Sequence, residues 1–173
     1  MRKSVLARKL LALVSHWSSN LLDSEPFYQA ITEASGKVRP PISKNLEYYL
    51  YTILVSPVIV QQPVALLLYK SIDSHYSEKI SLLKTIGEHS TTVVGIFPQS
   101  LVRSPVKSDY YMNMGSIGYS RLSSTMWSVY KDRDFSDVYE EIADRFKTCT
   151  QILQNAIRSL SAPDHKVKGF SRI

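Results

Sequence analysis

Apolar residues along this chain recur at three- and four-residue intervals, the period of helices with one buried face. Leu6, Leu10, Leu13 or Val14, Trp17 and Leu21 form a first stripe. Asp23-Ser24-Glu25-Pro26 reads as a helix start, with Pro26 in the first turn where its missing N–H costs nothing, and the helix runs to about Ala34. Pro40-Pro41 closes a loop over 35–41. Leu46, Tyr49 or Leu50, and Ile53 or Leu54 mark the next helix, which Ser56-Pro57 should break. The β-branched run Leu54 to Val60 imitates a strand, but it contains Pro57 and has no partner strand. Pro63 opens a helix through Tyr69 that is apolar on nearly every side, which predicts a place in the middle of a bundle.

The period continues through Ile80, Leu83, Ile86, Ser90 and Val93 or Val94 until Gly95 and Pro98, and a loop follows over 98–108. Tyr111, Met114, Gly118, Leu122 and Met126 form another helix. Gly115 and Gly118 cost helix propensity there, so they predict close approach of a neighbouring helix. From Phe135 to Leu160 the stripe keeps step as one long helix, capped by Asp134 or Ser136, with acids early and Lys147 and Arg158 later, as the helix dipole favours. The pattern predicts an all-α, single-domain helical bundle of about six or seven helices over residues 1–161, and a mobile basic tail over 162–173.

At 173 residues the chain fits one domain with a real core. Its net charge of +6 is concentrated at the ends. Arg2, Lys3, Arg8 and Lys9 carry the first nine residues, and Arg158, Lys166, Lys168 and Arg172 outweigh Asp164 at the other end, leaving −1 between them. Basic ends fit weak nucleic-acid binding, a membrane-surface contact or simple solubility, and no recognisable nucleic-acid module accompanies them. Solubility is the reading taken, so nucleic acid is not an expected partner. The first stripe also resembles an interfacial membrane helix or a secretory leader, but its five-residue apolar core is shorter than the ~7–15 a leader needs. No apolar run approaches the roughly 18 residues of a membrane-spanning helix.

Chemistry is sparse. The lone Cys149 excludes an internal disulfide framework and lies on an apolar stripe, where an inert thiol is the default. No Glu has a His three residues on, and His16, His75, His89 and His165 form no helical ligand pair, so no metal or cofactor is expected. Nucleophile elbows and phosphate-binding glycine loops are missing.

One stretch is denser in uncommon residues: Ile86-Gly87-Glu88, Gly95-Ile96-Phe97-Pro98, Arg103, and Tyr110-Tyr111-Met112-Asn113-Met114-Gly115 with Tyr119. This order resembles a family of uncharacterised bacterial all-helical proteins, over roughly residues 45–157, with Glu88 where the pattern carries Asp. The resemblance implies a bacterial cytoplasmic helical protein and no mechanism. Physically, Glu88 and Arg103 are expected to pair, with a hydroxyl of Tyr110, Tyr111 or Tyr119 completing the hydrogen bonds. That cluster either pins the 98–108 loop or lines a pocket in which Arg103 meets an anionic ligand or substrate beside Glu88 and Tyr111. The missing motifs, and Tyr48, Tyr49, Tyr51, Trp127 and Tyr130 as aromatics beyond what one core hides, lead to the function expected, a non-enzymatic module that binds a protein partner or self-associates, with the ligand-binding or enzymatic pocket and the weak nucleic-acid binder as alternatives.

Overall fold

The computed structural model describes residues 25–161, and these form seven α-helices with no strand among the described residues. The first amphipathic stripe and the basic tail lie outside them. Helix α1 spans Glu25–Gly36 and α2 spans Lys44–Val55, whose first turn is closed by Ser43 Oγ accepting the Leu46 N–H at 3.1 Å. Helix α3 covers Val64–Asp73, and α4 covers Tyr76–Thr91 before widening into a π turn over Thr92–Ile96. A 3₁₀ turn at Pro98–Leu101 leads towards α5 (Ser108–Tyr130), α6 (Arg133–Asp144) and α7 (Phe146–Leu160). The run after α2 is not a strand. Its amides find side chains of the α4 rod instead: Val58 N–H donates to Thr92 Oγ1 at 3.2 Å and Val60 N–H to His89 Nδ1 at 3.3 Å.

The pairing of α4 with α5 is the most extensive in the fold, and α5 with α6 follows. Glycines make the first pairing possible. A Cβ on Gly87 would stand 2.6 Å from the Tyr119 ring, and one on Gly118 would stand 2.9 Å from Ile86 and 3.2 Å from the Gly87 backbone nitrogen. Gly118 meets α4, as its cost to helix propensity led us to expect, whereas Gly115 opens towards Phe146 of α7 as well as Ser90. Leu83, Ile86, Tyr119 and Leu122 are fully buried around the crossing. The π turn is buried throughout and packs on α7, where Gln154 Nε2 donates to the Val94 carbonyl at 2.9 Å and satisfies an acceptor the helix end leaves open.

Three expectations are corrected. The stripe from Phe135 to Leu160 belongs to two helices, because the chain turns at Arg145 (φ −112°, ψ 27°). Its guanidinium donates to the Pro41 carbonyl at 2.8 Å and to the Pro40 carbonyl, which holds the bend against the α1–α2 loop. Helix α6 then packs on α5, and α7 on α1 and the π turn. The cap of α6 is Asp132, which accepts the Phe135 N–H at 3.2 Å, while Ser136 is buried against Ser123 at 3.0 Å. Helix α3 is not central either. Val64 and Leu67 pack inward, but Leu66, Tyr69 and Ile72 face out.

Gly87→Ala gains about 1 kcal/mol of helix propensity and drives a methyl into a buried ring, an overpacking cost of typically 1–3 kcal/mol or more. The expected result is a melting temperature lower by several degrees. A thermal melt showing a gain would contradict the crossing described here.

Candidate functional site

Helix α4 offers its polar residues in two directions, because consecutive residues on a helix point about 100° apart. Glu88 faces α2 and α5. The Tyr49 hydroxyl lies 3.1 Å from Glu88 Oε1 and 3.4 Å from the Tyr119 hydroxyl, which is 3.5 Å from Thr91 Oγ1. Each hydroxyl has one proton to give. Tyr49 gives its own to the carboxylate, the strongest acceptor present, and Thr91 gives its own to the Gly87 carbonyl at 2.8 Å. The Tyr119 proton is left for the Tyr49 or Thr91 oxygen. Tyr139 stacks on Tyr119 with ring centroids 6.0 Å apart and meets Tyr49 edge-on at 5.6 Å. Lys84 Nζ, one turn back, supplies the cation at 3.7 Å from Glu88.

Burial pushes the Glu88 carboxyl above the usual range, and Lys84 and Tyr49 pull it partly back. Burial likewise raises Tyr49 and Tyr119 well beyond an ordinary phenol and Tyr139 to about 12, so all three keep their protons at neutral pH. The cluster is a set of hydrogen-bond donors around one acid.

His89 faces the other way. Its ring meets Tyr111 edge-on at 5.8 Å, and Tyr111 meets Tyr110 at 5.2 Å. The Tyr110 hydroxyl accepts the Ala65 N–H at 3.1 Å, which ties α5 to the start of α3. Burial lowers His89 to about 4, only partly offset by a hydrogen bond with the Val58 backbone. The imidazole is neutral, as an Nδ1 that accepts an amide requires.

The expected five-residue cluster is thus divided. Glu88 and Tyr119 share one network, Tyr110 and Tyr111 belong to the His89 side, and Arg103 joins neither. Arg103 is exposed in the turn after the 3₁₀ segment, and among the described residues it forms no ion pair. The expected Glu88–Arg103 pair is replaced by Glu88 with Tyr49 and Lys84, since a buried acid takes the donors that α2 and its own helix hold beside it.

Sequence reasoning gave Tyr49 and Tyr139 no place in the cluster and passed over Glu47. The tyrosines sit at ordinary helical spacing, which marks them as inward-facing without naming their partners. Glu47 is buried at the α1–α2 contact, where Ser35 Oγ donates at 2.6 Å, Lys44 Nζ at 3.0 Å and Thr32 Oγ1 at 3.1 Å. Burial alone would raise its pKa, but these three donors more than compensate and hold the carboxyl below its ordinary value. Its role is to join two helices.

Reactive groups are withdrawn. Burial raises the Cys149 thiol to about 12, which leaves it protonated and a poor nucleophile. Among the described residues, no three His, Cys, Asp or Glu side chains gather as metal ligands, and no helix is long and apolar enough to cross a membrane.

The surface is more distinctive. On α3 the side chains of Leu66, Tyr69 and Ile72 are 43%, 68% and 56% exposed, and Tyr76 at the start of α4 is 54% exposed. Trp127 and Phe135, also exposed, have local cover: Lys131 and Arg133 lie 5.5 Å and 5.3 Å from the Trp127 ring centre, and Phe135 stacks on Tyr139. No ring covers Tyr69 among the described residues. Compared with known proteins, the chain matches no family model and is similar to no curated protein and no solved structure.

Two outcomes follow. Tyr49→Phe removes a donor to a buried carboxylate and should cost roughly 1–3 kcal/mol, whereas Arg103→Ala should change stability by less than about 0.5 kcal/mol. Thermal melts of both variants check this, and the reverse order would contradict the network. The second concerns pH. An unfolded His89 binds its proton near 6.5 and the folded one near 4, so the unfolded state holds more protons between these values and stability falls as pH drops through that window. The loss should reach about 2 kcal/mol at pH 4.5 relative to pH 7. Glu88 works in the opposite sense, since its raised pKa favours the folded state at low pH. Denaturant titrations of the wild type and His89→Gln separate the two, and parallel pH profiles would contradict the assignment.

Proposed function

We propose that this protein is a non-enzymatic helical module that acts by associating with protein through the outer face of α3. The observation that carries the reading is the row Leu66, Tyr69 and Ile72, with Tyr76 beyond it, exposed together on a helix whose opposite face is also apolar. A surface helix that only covers a core has one apolar stripe and a polar outer face. Scattered exposed apolar side chains are ordinary, but a contiguous group of them marks an interaction surface.

The interior supports the non-enzymatic part of the reading. Glu88 is held by Tyr49 and Lys84, His89 Nδ1 is committed to a backbone amide, and the Cys149 thiol is buried and protonated. None of these stands beside a second reactive group in the way that nucleophile–base or acid–base pairs do. Arg103, exposed and apart from Glu88, gives little support to an anion pocket between them. A bacterial cytoplasmic setting is part of the proposal and rests on the family resemblance.

The test places a photo-crosslinking amino acid at position 69 of the full chain in cells that express it, with position 151, exposed on α7, as the control. A discrete light-dependent adduct at 69, absent at 151 and lost when Ile72→Lys is added, is the expected result. Equal labelling at both positions, or none at 69, overturns the reading.

A further inference from the structure

The outer face of α3 has an order that bears on its occupant. Ala65, Leu66, Tyr69, Ile72 and Asp73 lie within an arc of about 120° at 100° per residue. Tyr69 is the centre of this set. Three residues before it stands Leu66 and three after it Ile72, two branched aliphatic side chains of equal size; four before it stands Ala65 and four after it Asp73. Read in either direction from Tyr69, the row meets a branched aliphatic side chain at the third residue, while the fourth is Ala65 one way and Asp73 the other.

An isologous contact requires a patch complementary to itself, and an apolar row with aliphatic side chains spaced evenly about a central tyrosine meets that requirement when the two helices run antiparallel. We infer that the occupant of the α3 face is a second copy of this chain, with the two α3 helices antiparallel and the symmetry axis passing through Tyr69. The inference rests on the reading of α3 as an association surface. In this arrangement Leu66 of each copy packs on Ile72 of the other, and the two Tyr69 rings meet at the axis. Ala65, being small, lets the helix ends approach. Asp73 comes opposite the partner's α3 start, where the positive end of that helix's dipole receives a carboxylate. Lys70 lies to one side of the row, so no like charges meet along it.

Area sets the strength. Leu66, Tyr69 and Ile72 at the observed exposures offer roughly 300–350 Å² per copy, less than half of the ~800 Å² per partner in a standard stable complex. The dimer should therefore be reversible and depend on concentration in the micromolar range or above, on the order of 10–100 μM.

The experiment uses the purified full chain. Tyr69→Cys puts two thiols beside the symmetry axis, and mild oxidation should give a disulfide-linked dimer. The wild type, whose Cys149 is buried, should give none under the same conditions. Sedimentation velocity then tests the register: Leu66→Lys and Ile72→Glu should each weaken association by roughly tenfold or more. The double variant carrying both should regain most of it, because each new lysine meets the partner's new glutamate only when the helices are antiparallel. Melting curves of the variants at low concentration confirm that each is folded. A wild type that stays monomeric above 1 mM, a Tyr69→Cys chain that forms no more dimer than the wild type, or a double variant as weak as the singles each overturns the inference. If position 69 crosslinks in cells to a molecule of another mass, or to residues 1–24 of its own chain, the second-copy assignment fails. A heterologous adduct leaves the association reading standing, whereas no adduct removes both.

Discussion

The contact between α4 and α5 at Gly87 and Gly118 governs the rest of the architecture. Without side chains there, the two backbones approach until Tyr119 lies against Gly87, and the phenol is carried into the centre of the bundle. A buried tyrosine brings its hydroxyl with it, and a hydroxyl without partners costs about 1–3 kcal/mol. Tyr49 and Thr91 answer that need, and Glu88 takes the proton that Tyr49 has to give. The polar centre of this protein is thus a consequence of helix packing. It specifies how α2, α4 and α5 meet, as fully connected buried networks do.

Filling the α4–α5 crossing with glycines and aromatics also decides what stays outside. Helix α3 packs against one flank of α4 through Val64 and Leu67 and is tied to α5 by Tyr110, but no further helix among the described residues covers its other side. The apolar outer row of Leu66, Tyr69 and Ile72 is the remainder of that arrangement.

Most helices were legible in the sequence because their stripes and breakers are local. Pro26 and Pro57 act on the turn in which they stand, and Gly118 announced a close neighbour through the propensity it gives up. What was not legible depends on distant partners. The stripe stays in step across Arg145, and the bend there is held by carbonyls of Pro40 and Pro41 more than a hundred residues earlier in the chain. Spacing shows that α3 is apolar all round, but not which side another helix covers. The candidate site was half legible for the same reason. Glu88 and Tyr119 were found within a dense run of uncommon residues, yet the partner chosen for the acid was an arginine fifteen residues on, while the actual donor, Tyr49, stands on α2. Charge complementarity suggested the pair, and helix packing decided it.

The central claim is that the α4–α5 crossing forms the stable core while α3 completes itself by association. Amide hydrogen exchange followed as a function of protein concentration tests this directly. The account predicts that amides around Gly87 and Gly118 exchange slowest at every concentration, and that those of Val64–Asp73 exchange quickly in dilute solution and slow markedly as concentration rises. Amides of α3 that exchange at one rate throughout, or that match the crossing in dilute solution, would contradict it.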